Sequence, residues 1–151
     1  MTSSAPGEPT TPSKAEAGND KLLSGVGNDT LEGGLGTDTA SYSASLSAVT
    51  ASLVTNASTG EGSDTFLGVE NLLGSFKADT LIGSATNNKL IGGDGPDTEL
   101  GGSGNDTLLG SGGDDAVNSK DGVNGNDSLD GGGGTDTKVT DTTEKSIVNF
   151  P

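Results

Sequence analysis

Within the stretch GGDGPDTELGGSGNDTLLGSGGDD, residues 92–115, an aspartate arrives every nine residues, at Asp97, Asp106 and Asp115. Each closes a glycine-rich turn, written in register as GGDGPD, GGSGND and GSGGDD. Glycine accepts positive φ and lets backbone carbonyls crowd toward one point, where the aspartate adds negative charge. Such ligands suit a hard cation: calcium takes about six to eight oxygens, which a carboxylate and the carbonyls of two stacked turns can supply. The chain has no His and no Cys, so imidazole or thiolate sites for zinc, copper or iron are excluded.

The spacing continues in both directions. Backwards from Asp97 it lands on Asn88 and Asp79, an earlier block carries Asp20, Asp29 and Asp38, and Asp64 stands between the two. After a slip of three residues the spacing resumes at Asp127 and Asp136. The unit is G-G-x-G-x-D-x-U-x, with U apolar, and it resembles the calcium-binding nonapeptide repeat of the RTX (haemolysin-type) family. A second string, Gly68-Val69-Glu70-Asn71-Leu72-Leu73-Gly74-Ser75, resembles the segment that in RTX-like proteins leads from longer strands into a fresh block of repeats.

The resemblance implies an all-β fold: a right-handed parallel β-roll, a β-solenoid in which each nonapeptide forms half a coil. Calcium then sits between turns two repeats apart on one edge, so that Asp79 shares an ion with Asp97, Asn88 with Asp106, Asp97 with Asp115, and Asp20 with Asp38. The implied ligand set for several calcium ions comprises Asp20, Asp29, Asp38, Asp64, Asp79, Asn88, Asp97, Asp106, Asp115, Asp127 and Asp136. With them go the turn glycines Gly25, Gly27, Gly34, Gly36, Gly93, Gly95, Gly102, Gly104 and Gly112.

Short strands must position these turns. Alternation along a strand sends the residue two places after each repeat Asp inward, and those residues are Leu22, Leu31, Ala40, Phe66, Leu81, Leu90, Leu108, Val117 and Leu129. Glu99 breaks the column. Either the register slips there and Leu100 faces inward, or Glu99 is a buried carboxylate in need of a partner. Two further departures are Asn88, which lacks the charge, and Pro96, which replaces a small polar residue. Outward positions carry Thr30, Thr39, Thr65, Thr80, Thr98, Thr107 and Thr137.

Five segments follow from the pattern. Residues 1–17, rich in Pro, Ser and Thr, read as a disordered arm that packs against nothing. Residues 18–39 form the first repeat block and 40–73 a Ser/Thr/Ala-rich β insertion with a turn near Ser58 to Gly62. Residues 74–137 form the second block, with a slip at 119–126 that puts ion sharing across it in doubt. Residues 138–151 read as a capping tail with a final strand, as the end of a solenoid requires.

Composition limits the core. Leu, Ile, Val and Phe make up 29 of 151 residues, and the net charge is −15. That balance alone would favour disorder, whereas a cation would neutralise the carboxylates and pin the turns, so that metal binding contributes folding free energy. With 22 acidic residues against 7 basic ones, the chain is unsuited to nucleic acid or anionic membrane surfaces. No apolar run is long enough for a membrane span. No apolar segment of a secretory signal peptide stands at the N-terminus. The tetraglycine 131–134 lacks the Lys-Ser/Thr of a phosphate loop, and no EF-hand loop or Ser-His or Cys-His pair occurs, so no enzyme activity is expected.

The expected function is therefore a calcium-binding RTX module that folds on meeting extracellular calcium. It would be a structural, secretion-linked part of a secreted bacterial protein using type I export, and could belong to a larger polypeptide. The alternative is a surface-binding module in which the outward threonines form a ladder against ice or a polysaccharide.

Overall fold

A computed structural model describes residues 13–122, 127–142 and 144–150. Among them the chain forms sixteen short strands and no helix, and the strands alternate along the repeats between two facing sheets. One sheet has nine strands, in the order β1 (Ser13–Lys14), β3 (Thr30–Glu32), β7 (Ser63–Leu67), β6 (Ala57–Thr59), β5 (Thr50–Ser52), β9 (Thr80–Ile82), β11 (Thr98–Leu100), β13 (Ala116–Asn118) and β15 (Thr137–Val139). The other has seven: β16 (Ser146–Val148), β14 (Ser128–Asp130), β12 (Thr107–Gly112), β10 (Lys89–Asp94), β8 (Asn71–Leu73), β4 (Thr39–Ser41) and β2 (Lys21–Leu23). This is the parallel β-roll that the resemblance implies.

Each repeat Asp except Asp64, which lies inside β7, ends a turn, and the strand begins with the next residue. Strands one coil apart pair in parallel and in register, so Leu81, Glu99 and Val117 are direct neighbours, as are Leu72, Leu90, Leu108 and Leu129. All nine residues of the expected inward column are buried. The core is this stack and little more, so truncating one of its leucines to alanine would cost about 2–5 kcal/mol.

The two repeat blocks form one continuous roll. Ala40 pairs with Leu72, which in turn pairs with Leu90, so the seven-stranded sheet passes from one block to the next without a break. The insertion extends the opposite sheet: β6 runs antiparallel to both β5 and β7, and the three lie between β3 and β9. Its Val49, Ala51 and Leu53 are buried. The turn expected near Ser58 to Gly62 falls at residues 60–62, between β6 and β7, with Ser58 itself inside β6; a second reversal, at residues 53–56, joins β5 to β6.

The two ends also differ from expectation. Residues 1–12 of the arm lie outside the described residues, but Ser13–Lys14 pair with β3, and Ala17 bridges to Leu35. Ala15 packs against the core. An open sheet edge offers unpaired amides and carbonyls, and this end of the arm satisfies them. At the other end β16 pairs with β14, and Phe150 packs on the core. Lys138 takes the inward place of the last coil, where it is exposed with its ammonium 4.9 Å from the centre of the Phe150 ring.

None of the seven threonines is buried, yet they form no single ladder. Thr39 and Thr107 lie on the seven-stranded sheet and the other five on the nine-stranded one. Even there the inserted hairpin shifts the rows: Thr30 and Thr65 align through Ala57 and Ser52 with Ile82, whereas Thr80 and Thr98 align with Thr50. Ala116 then interrupts the row before Thr137.

Candidate metal centre

The turns stack along the two edges of the roll, and on each edge the repeat carboxylates form a hydrogen-bonded ladder. On one, the amide of Val49 donates to Oδ1 of Asp79 at 2.8 Å, Asp79 to Asp97 at 2.7 Å, Asp97 to Asp115 at 2.9 Å and Asp115 to Asp136 at 2.8 Å. On the other, Asn88 donates to Asp106 at 2.9 Å and Asp106 to Asp127 at 2.7 Å. Asp20 likewise donates to Asp38 at 2.7 Å, and Asp29 to Asp64 at 2.9 Å. The expected pairs thus meet as neighbours on one edge.

The slip does not break the ladder. Asp106 and Asp127, and Asp115 and Asp136, are 21 residues apart rather than 18, yet they make the same bond. The extra residues fall in the turn between β13 and β14, part of which lies outside the described residues, and the strands on either side keep their register.

Past Asp20 and Asp29, which begin their edges, one oxygen of each repeat carboxylate is committed to the ladder; the second oxygen divides the candidates into two groups. In Asp38, Asp97, Asp106, Asp115, Asp127 and Asp136, Oδ2 is buried and has no hydrogen-bond partner. The backbone crowds around these atoms: a Cβ on Gly92 would stand 2.3 Å from Oδ2 of Asp97, and one on Gly110 would stand 2.3 Å from that of Asp115. Only glycine fits there. The first glycine of the turn therefore matters as much as those inferred from sequence. In the turn before Asp115, it is Gly113, with φ of 137°, and not Gly112, that repeats the left-handed place of Gly95 and Gly104.

In the second group, Asp64, Asp79 and Asn88 have every side-chain oxygen engaged, and Asp29 has its Oδ2 engaged. Asp64 Oδ2 lies 2.9 Å from the Ser24 hydroxyl, 2.9 Å from that of Ser58 and 3.0 Å from that of Tyr42. Asp29 Oδ2 accepts from the Gly25 amide at 3.2 Å, and Asp79 takes the amide and hydroxyl of Ser75. Asn88 accepts from Ser84 and donates its amide to the Glu70 carbonyl at 2.6 Å.

Two residues off the spacing occupy ladder positions. Glu70 accepts the amide of Asp38 at 2.8 Å, and Glu144 that of Asp127 at 2.9 Å. Their longer side chains reach the place of a repeat Asp from a different point in the turn, so no nine-residue count finds them. For Glu70 the one sequence signal was the Val-Glu-Asn-Leu string.

Asn19, Asn87 and Asp114, each just before a repeat position, form an outer ladder. Their side-chain oxygens accept the amides of Thr37, Asn105 and Thr135 at 3.1, 2.8 and 2.8 Å. Pro96 has no amide to give. It is tolerated because the matching residue one coil earlier is Ala78, which has no acceptor.

Crowding of these carboxylates has an electrostatic cost. Burial pushes Asp97 up to about 7, only partly offset by the Asp79 amide and reinforced by the charges of Asp79 and Asp115. Asp106 is pushed up to about 6, again chiefly by burial. Asp115 and Asp127 shift in the same direction for the same reason.

Glu99 is fully buried, so the register does not slip. Neither of its oxygens has a hydrogen-bond partner. Burial, with the charges of Asp115 and Asp97 adding to it, pushes it up to about 9, and the nearby Gly92 and Leu109 amides offset only part. Burial thus favours the protonated form of Glu99.

Among the described residues no three acidic side chains converge as a self-sufficient metal cage. Any ion here needs backbone carbonyls beside the carboxylates, and the close stacking of turns provides them: a Cβ on Gly92 would lie 2.8 Å from the Gly110 carbonyl as well as 2.3 Å from Oδ2 of Asp97, and one on Gly110 2.6 Å from the Gly131 carbonyl as well as 2.3 Å from Oδ2 of Asp115. Unpartnered carboxylate oxygens beside stacked carbonyls fit a hard cation.

The model of the RTX calcium-binding nonapeptide repeat matches this chain in four copies, over residues 14–40, 64–99, 100–124 and 121–137. The chain belongs to that family. RTX repeats therefore account for both edges of the roll, and the chain is a calcium-binding repeat module. The insertion between residues 40 and 64 is the internal part that the RTX matches leave out. Among curated proteins, none matches the chain.

Proposed function

We propose that this RTX module folds when it binds several calcium ions, held by Asp38, Asp97, Asp106, Asp115, Asp127 and Asp136 together with carbonyls of the adjoining turns. The observation that carries this reading is the set of six buried Oδ2 atoms with no partner. Leaving a buried acceptor unsatisfied costs about 1–3 kcal/mol, more when it is charged, and a divalent cation removes that cost at each turn. Asp29, Asp64, Asp79 and Asn88 serve the ladder through hydrogen bonds instead. Asp20 begins its edge. The role is structural rather than enzymatic.

Sites of the extracellular class bind calcium at about 10⁻⁴ to 10⁻³ M, so they stay empty in a cytosol poor in calcium. The chain would leave the cell unfolded, by the type I route that the RTX resemblance implies, and fold outside as part of a secreted protein.

The test is a calcium titration followed by circular dichroism, with magnesium as control because its stricter octahedral demand fits these turns poorly. A strand spectrum should appear with calcium and not with magnesium. A fully formed strand spectrum in chelator at pH 7.5 would overturn the calcium-dependent reading.

A further inference from the structure

Glu144 lies in the tail, 17 residues beyond Asp127 and outside the repeats. Its Oε2 accepts the Asp127 amide at 2.9 Å, the bond that Asp127 itself accepts from Asp106 and that Asp136 accepts from Asp115. Its Oε1 accepts the Asp141 amide at 2.9 Å and lies 3.4 Å from the Ser119 hydroxyl. Both contacts fix the carboxylate where a repeat Asp would stand one coil further on. Asp141 in turn accepts the amides of Asp121 and Gly122 at 3.0 and 2.6 Å, which folds the tail over the turn that precedes Asp127.

Beside this carboxylate Asp127 is fully buried, and its Oδ2 has no partner. A neutral amide would cap the Asp127 amide as well as Glu144 does. A second carboxylate next to a buried one is unfavourable unless a cation lies between them; Glu144 and Asp121 both act on Asp127 as like charges.

We propose that the unpartnered Oδ2 of Asp127 holds a terminal calcium ion whose charge is balanced by Glu144, a tail residue in place of a repeat Asp, with the Glu144 oxygens kept on their amide donors. This rests on the calcium reading above and adds to it a site that closes the roll and makes docking of β16 depend on calcium.

The experiment counts ions bound to the full chain by equilibrium dialysis in saturating calcium, and compares the parent with Glu144→Gln, which keeps an acceptor for the Asp127 amide but removes the charge. Glu32→Gln, at the far end of the roll, controls for loss of one negative charge. The expected result is one ion fewer in Glu144→Gln, no change in Glu32→Gln, and faster hydrogen exchange at 146–148 in Glu144→Gln. An unchanged ion count in Glu144→Gln overturns the terminal site, whereas a parent that binds no calcium overturns the underlying reading instead. Should Glu144→Gln fail to fold, hydrogen exchange in the parent decides: protection of 146–148 that rises only with calcium supports the site, and protection already complete in chelator overturns it.

Discussion

The hydroxyl of Tyr42 lies 3.0 Å from Oδ2 of Asp64, in a buried cluster that also brings Ser24 and Ser58 onto the same oxygen. Three hydroxyls here take the place that an ion is proposed to take at the later turns. Tyr42→Phe should lower stability by about 1–3 kcal/mol in saturating calcium, the cost of removing one partner from a buried polar cluster. The number of calcium ions bound should not change. Urea denaturation and equilibrium dialysis check the two halves of this prediction separately.

Asp97 takes part in two rungs of one ladder, accepting from Asp79 and donating to Asp115. Asp97→Asn keeps an acceptor for Asp79 but removes charge, so the calcium midpoint should rise with little other loss. Asp97→Ala also leaves the buried Asp79 amide without its acceptor and should cost about 1–3 kcal/mol more. Asp130, which looks idle by its spacing, is no silent control: it accepts the Gly132 amide and the Asn149 side chain, tying down the tail. Ser103→Ala, on an exposed turn, is the better comparison. Equal calcium midpoints for Asp97→Asn and Ser103→Ala would refute the role of Asp97.

Acid should partly replace calcium. Asp106, Asp97 and Glu99 have folded values of about 6, 7 and 9 against ordinary values of 3.8, 3.8 and 4.5, so the folded chain holds protons that the unfolded chain has released. Their contribution is fully present below the unfolded values and is lost as pH rises through the folded ones. In chelator, the strand signal in circular dichroism should therefore be larger at pH 5 than at pH 8. A signal that grows with pH would contradict the assignment.

Replacing Glu99 by Leu restores the apolar column between Leu81 and Val117. It removes a buried group with two unsatisfied oxygens, and stability in saturating calcium should rise by about 1–3 kcal/mol. Urea denaturation at pH 7 measures the gain.

The outer ladder gives a test by addition. Ala78→Asn alone should gain nothing, because Pro96 offers no amide. Together with Pro96→Asn it should form the missing rung and stabilise the roll by about 0.5–1.5 kcal/mol, the net worth of one hydrogen bond. Thermal denaturation of the two single variants and the double variant, read as a cycle, isolates that bond.

Sequence by itself determined the local period. Glycines at fixed intervals make the turns, the residue two places after each Asp faces inward, and these are properties of nine consecutive residues that need no distant partner. The same count brought Asp79 beside Asp97 and Asn88 beside Asp106. Only the tertiary structure decided which segments stack where the count fails. It joined Ala40 to Leu72 across the insertion and absorbed the slip before Asp127 in a turn. It placed Glu70 and Glu144 on the ladders, filled the Asp64 pocket with hydroxyls and divided the threonines between two faces. The physical reason is that parallel pairing depends on which strand lies one coil away. In the repeats that distance is fixed by spacing, but around an insertion or a tail it is set by whichever chain buries its apolar residue and satisfies the exposed edge.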